Sequence, residues 1–212
     1  MTNFQRTKRE VIAVLILVGL LGATFLYAED TDTNLVKNSG FEDDAAESKP
    51  AGYDLWKVDD KGTCGVDDSV GYKSRKSVKV AGVSKIAYQY TIDVLPGEKY
   101  LVESFCTQKG QGTPTMTIYW KDAARQWNWP AGISKGTYKP FEGKWRKAVA
   151  RVQVPAEGVA HLTVLFGAEK QESENNIAWF DNISIKKIPA EIKKTAAEDV
   201  EVSQKGNKSY IR

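Results

Sequence analysis

Residues 123–143 carry Trp127, Asn128, Trp129, Tyr138 and Phe141 among Gln126, Lys135 and Lys139. Flat apolar rings beside amides and amines are the combination that recognises sugars. Pyranose C–H faces stack on the rings while neighbouring polar groups bond the hydroxyls. In an extended Trp127-Asn128-Trp129 both indoles point the same way, about 7 Å apart after two strand rises. Exposed indoles mark a surface that is used. The competing reading buries one or both at the edge of a core, since Trp is highly buried on average.

Other reactive residue types give less. His161 is the single histidine of the chain and invites a general-base reading, yet a base needs positioned partners and none is identifiable from sequence. It is read as a surface or ligand-lining residue at the outward parity of a strand. Asp43-Asp44, Asp59-Asp60 and Asp67-Asp68 are adjacent pairs, and neighbours on a strand point to opposite faces, so they do not make the paired carboxylates of a glycosidase. No catalytic residue is assigned. Cys64 and Cys106 leave two readings open, a disulfide or two separate buried thiols. Without a C-x-x-C pair or a second histidine, zinc and thiol-redox sites are excluded.

The elements that must position these groups are strands. Ile86, Tyr88, Tyr90, Ile92 and Val94 share one parity, and the run stops at Leu95-Pro96-Gly97-Glu98, where Pro presets φ and Gly allows φ > 0. Further strands are expected at 100–107, 115–121, 147–154, 160–166 and 177–185. Met116, Ile118 and Trp120 would face the core, leaving Thr115, Thr117, Tyr119 and Lys121 outside. By the same parity Glu103 and Phe105 face away from Val102, Ser104 and Cys106, so Tyr119 and Phe105 are candidates for a shared concave ligand face. With no convincing amphipathic helix, the expected fold is all-β: two antiparallel sheets packed as a sandwich.

The 212 residues suit one domain with a proper core. Arg6, Lys8 and Arg9 precede an apolar stretch at 11–28, which reads as an export signal, or as a membrane anchor if uncleaved. The expected organisation is 1–28 leader, 29–188 sandwich, and 189–212 a flexible charged tail with a possible protein partner. The net charge of +3 belongs mostly to the leader, since 29–188 holds 22 basic against 22 acidic residues. A neutral core offers little counterion release, which excludes nucleic acid as a partner.

At this point a family resemblance emerges. Residues 34–42 (NLVKNSGFE), the following Trp56, and 178–185 (AWFDNISI) resemble the two ends of the jelly-roll carbohydrate-binding modules of families four, nine, sixteen and twenty-two. Between them the order also resembles the family: Ser77-Val78-Lys79-Val80, Val94-Leu95-Pro96-Gly97 before Tyr100, Ile118, Trp120 and Asp122 at a strand end, and Gly143-Lys144-Trp145 leading to Val154-Pro155. The resemblance covers about residues 34–188. It implies a jelly-roll sandwich, a structural Ca²⁺ held by Glu42 and Asp181 and completed by main-chain carbonyls, core positions for Trp56, Trp145 and Trp179, and a poly- or oligosaccharide ligand. One loop departs from the pattern, with Tyr72-Lys73-Ser74-Arg75 where the family has a His-Ser-Gly type sequence.

The expectation is therefore an exported, non-catalytic carbohydrate-binding protein. Its site is Trp127, Trp129, Tyr119 and Phe105, and its metal ligands are Glu42 and Asp181. The alternative is a cell-envelope protein-interaction module on the same scaffold.

Overall fold

Alternating apolar residues and short turns leave this chain little choice but strands. The computed structural model describes residues 33–58, 60–138 and 143–189. The chain divides into two units, Met1–Thr31 and Asp32–Arg212, and the described residues belong to the second. The leader expected at 1–28, the tail beyond Pro189 and Phe141 lie outside the described residues.

The described residues form ten strands, in order β1 (Asp54–Lys57), β2 (Thr63–Asp67), β3 (Ser77–Ala81), β4 (Lys85–Asp93), β5 (Lys99–Lys109), β6 (Thr113–Lys121), β7 (Ser134–Gly136), β8 (Arg146–Gln153), β9 (His161–Glu169) and β10 (Ile177–Ile188). They form two five-stranded sheets, β1-β4-β9-β6-β7 and β2-β3-β10-β5-β8, with every pairing antiparallel. This is the expected sandwich.

Parity works as the period of two demands. Met116, Ile118 and Trp120 of β6 meet Val102, Ser104 and Cys106 of β5 in the core, all of them buried. Phe41, Tyr53, Phe166 and Phe180 pack at the centre, with Phe41–Tyr53 ring centroids 5.3 Å apart and Tyr53–Phe166 edge to face at 5.7 Å. Burial pushes the Tyr53 hydroxyl well above its ordinary range, with Tyr90, Asp44 and Asp181 adding to the shift. The turn after β4 is built as its residues require: Gly97 takes φ 81, Glu98 N donates to Leu95 O, and Leu95 N donates to Glu98 Oε2 at 2.7 Å.

Three expected core tryptophans are elsewhere. Trp56 is 37% exposed, because Leu55 is the β1 residue that packs against the core and its neighbour must point outward. Ala178 and Phe180 fill the interior side of β10, which turns Trp179 out, where Nε1 donates to Asp67 Oδ2 at 2.9 Å. Trp145 is half-buried ahead of β8. Both cysteines are free. β3 and β10 lie between their strands, a separation of about 14 Å that no disulfide spans.

Candidate functional site

Strand register decides which side chains share a face. On the outer side of β1-β4-β9-β6, Trp56, Ala87, Gly167 and Thr115 lie in one row across the sheet, and Asp54, Gln89, Leu165 and Thr117 in the next. A third row holds Thr91, Thr163 and Tyr119, and a fourth Asp93, His161 and Lys121. Gln89, Thr117, His161 and Thr163 are buried although they face away from the core, as residues on a floor beneath taller neighbours are.

The taller neighbours on one side are the indoles. Asp122 follows β6 and its Oδ1 accepts from Ala124 N and Gln126 N, both at 2.9 Å, an Asx turn that folds the chain back on itself. Arg125 takes φ 60 in that turn, and Trp127 then pairs with Lys121 as an isolated bridge. Asn128 caps a short 3-10 turn at Trp129–Ala131, with Pro130 in its first turn and Gly132 at φ 76 closing it. Its amide also donates to Gly158 O at 2.6 Å. The result places Trp127 and Trp129 6.1 Å apart at 32°, with Tyr119 meeting them edge-on at 5.5 and 5.7 Å.

Trp129 is 64% exposed. Lys121 Nζ lies 4.3 Å from the Trp127 ring centroid. Burial there pulls the Lys121 ammonium below its ordinary value, with Asp54 acting upward and Arg125 downward.

The opposite wall is Trp56, capped by Lys85 Nζ at 5.6 Å from its ring. Lys85 also pairs with Glu169 at 2.9 Å. Between the walls the small Ala87, Gly167 and Thr115 keep the floor low, and a cleft of about 320 Å³ lies above them and Leu165. A Cβ at Gly167 would run into the backbone of Ile86 and Ala87, so the floor depends on that glycine. Aromatic walls, a low floor of small residues with threonine hydroxyls, an amine and a carboxylate are what a sugar chain requires.

Of the four expected ligand residues the structure gathers Tyr119, Trp127 and Trp129. It does not bring Phe105 to them. Phe105 belongs to β5 of the other sheet and faces the opposite side of the molecule, stacked on Tyr72 at 3.9 Å and 15°. Tyr138, grouped with the indoles by sequence, is buried in the core and bonded to Ser104. His161 is buried and has the partner its sequence did not reveal: Nδ1 donates to Asp93 Oδ1 at 2.8 Å. Nε2, the atom a base would use, is buried without a hydrogen-bond partner.

Sequence reasoning missed Trp56 and the Lys85–Glu169 pair as site residues. The signal was present: Asp54 and Trp56 share a parity opposite to Leu55, and a charged residue marks the outer side of its strand.

Glu42 and Asp181 are brought to one end of the sandwich, and whether they fit a calcium ion turns on what faces them. Asp181 Oδ2 accepts from Tyr72 N at 2.6 Å and Ser74 Oγ at 3.0 Å, and Oδ1 accepts from Asn182 N at 2.6 Å. Glu42 Oε1 accepts from Arg75 N at 3.2 Å and Lys76 N at 2.9 Å. The nearby carbonyls of Glu42 and Asp44 accept from Lys76 Nζ, both at 2.6 Å. Calcium takes six to eight oxygen ligands. Main-chain carbonyls could complete such a set, but those of Glu42 and Asp44 are taken by the Lys76 ammonium, and N–H and O–H donors occupy both Asp181 oxygens and Glu42 Oε1. As placed, these residues do not fit the ion.

Residues 33–169 match a family described as a carbohydrate binding domain. No curated protein matches the chain. Among solved structures, one relative is the CBM22-1–GH10 portion of the Clostridium thermocellum endo-1,4-beta-D-xylanase 10B complexed with xylohexaose. It is 16% identical with TM-score 0.55, and the likeness covers 74% of this chain and 29% of that one. The chain thus spans under a third of that two-module protein. The CBM22-2 xylan-binding domain of Paenibacillus barcinonensis Xyn10C is 15% identical with TM-score 0.51, over 71% of this chain and 98% of that one. A cyclase from Fischerella sp. TAU in complex with 4-(1H-indol-3-yl)butan-2-one is 15% identical with TM-score 0.56, over 74% and 97%. At these identities the likeness shows the fold alone.

Proposed function

This chain belongs to the carbohydrate-binding domain family, and from that premise we propose that it is a non-catalytic module whose cleft holds a poly- or oligosaccharide chain. The sugar lies between Trp56 and the Trp127–Trp129 pair. The observation that carries the reading is that pair, held rigidly by the Asp122 and Asn128 turns beside an open, small-residue floor. Rings fixed in advance lose little entropy on binding, which is where affinity of this kind comes from. Threonines 115 and 117, Lys85 and Glu169 supply bonds to hydroxyls. Neutrality of 29–188 favours an uncharged glycan over nucleic acid.

Export belongs to the same reading. It is supported by the basic residues Arg6, Lys8 and Arg9 ahead of the apolar 11–28, and it places the module where polysaccharides are met, periplasmic, extracellular or at the cell surface. Membrane contact is confined to residues 11–28 if that segment is uncleaved, and residues 189–212 are where a protein partner would attach.

The test is retention of the full chain on a panel of insoluble polysaccharides, including xylan, cellulose and β-glucan, followed by elution with the matching oligosaccharide. Retention on one class with release by its oligosaccharide is expected. No retention by folded protein on any glycan would overturn the reading in favour of a protein-interaction module.

A further inference from the structure

We propose that the loop of residues 72–76 and the Lys76 ammonium form a metal-free clasp that closes the two ends of the sandwich. The inference is independent of what the cleft binds. The first described segment runs beside the last strand, with Leu35 N donating to Ile185 O at 2.9 Å and Ile183 N to Ser39 O at 3.1 Å. Asn34 stitches the same edge, its amide donating to Ile183 O and its carbonyl accepting from Ile185 N. This puts the Glu42 segment and Asp181 under one loop, the connection between β2 and β3.

Two carboxylates so placed repel each other, and hydrogen-bond donors or a cation must offset that charge. A metal would need the loop to present carbonyl oxygens. Instead the loop presents its donors: the N–H groups of Tyr72, Arg75 and Lys76 and the hydroxyl of Ser74 all point at carboxylate oxygens. Lys76 adds the full positive charge, bound to two main-chain carbonyls of the Glu42 segment. Oriented N–H groups in a turn form an anion-binding concavity, and bonds to ionised groups are the strong ones.

The backbone is committed to this arrangement on all sides. Lys73, Phe41 and Asn182 take φ 59, 61 and 49, conformations that L side chains adopt only where surrounding bonds over-determine them. β10 loses register between Asp181 and Ser184, which frees Asn182 to donate back to Tyr72 O at 3.4 Å. The loop that supplies the clasp contains Tyr72-Lys73-Ser74-Arg75, the stretch that departs from the pattern of the resembled modules.

The test is thermal unfolding of the full chain after exhaustive chelation, in excess chelator and in millimolar Ca²⁺, beside Lys76→Met, which keeps the stem and removes the charge. The midpoint should agree within about 1 °C between chelator and calcium, and K76M should lower it by about 4 to 8 °C. A midpoint that falls several degrees in chelator and returns with calcium would overturn the clasp in favour of a metal. So would a K76M protein that melts with the unmodified chain. The chelation arm needs no variant, so loss of folding in K76M leaves the question decidable.

Discussion

Among the described residues each outer face of the sandwich carries four aromatics, and they are put to different use. On the β2-β3-β10-β5-β8 side, Tyr72 and Phe105 lie face to face at 3.9 Å, Trp145 leans on Tyr72 at 5.7 Å, and the Trp179 N–H is bonded to Asp67. Each ring there has a partner within the fold. On the cleft side, Tyr119 makes T-shaped contacts with Trp127 and Trp129, and Trp56, with Lys85 over its ring, stands across a floor of small residues. Lys121 lies over Trp127, but Trp129 keeps an open face. What separates the two surfaces is exposure, since Trp56 and Trp129 stand open to solvent while Tyr72, Phe105, Trp145 and Trp179 are all half-buried, and a count of aromatics does not tell the two apart.

The contrast breaks first at the indoles. Replacing Trp127 and Trp129 together with Ala should weaken glycan retention by about 100-fold or more while moving the melting midpoint by less than about 2 °C, read by affinity electrophoresis and calorimetry. A collapse of the fold would instead place them with the packed aromatics. Trp56→Ala should cost about tenfold in the same electrophoresis, because one wall of the cleft remains.

The packed face should respond the other way round. Phe105→Ala should leave retention unchanged and lower the midpoint by about 3 °C, the loss expected for one stacked aromatic pair.

How far these contrasts were legible in the sequence depends on range. Parity within one strand was readable, and Met116, Ile118 and Trp120 face inward as their alternation requires. The proximity of Trp127 and Trp129 was readable too, because two residues along the chain fix it. Sheet membership was not. β4, β5 and β6 follow one another through tight turns yet alternate between the two sheets, so Phe105 and Tyr119, both outward by parity, face opposite sides of the molecule. That information resides in pairings between β4 and β9 or β5 and β10, far apart in sequence.

The short β1, β2 and β7, three to five residues each, left too little pattern to detect, and Trp56 was lost with β1. Asp93, the partner of His161, lies 68 residues away. Glu42 and Asp181 were read as a pair without the loop that lies over them.

The smallest effect concerns that end of the molecule. Burial and the neighbouring Glu42 raise the Asp181 carboxyl to about 6, against the lowering pull of Tyr72 N, Asn182 N and the Ser74 hydroxyl. The unfolded chain keeps the ordinary value of 3.8. As pH falls through 6 the native protein takes up a proton that the unfolded chain does not, so stability rises until about pH 4. Below that the gain is complete, and Asp67 and Glu98, both held below their ordinary values, turn the slope downward. The midpoint should therefore climb by a few degrees between pH 7.5 and 5, and Asp181→Asn should flatten that climb. A carboxylate holding a metal would show the reverse, since protonation releases the ion.

The central claim, that the cleft and not the packed face takes the sugar, is tested most directly by amide hydrogen exchange of the full chain with and without a retained oligosaccharide. The account predicts slowed exchange in the 122–133 turns and in β1, with the 72–76 loop and β8 unchanged. Protection at Tyr72, Trp145 and β8 with none around Trp127 and Trp129 would contradict it.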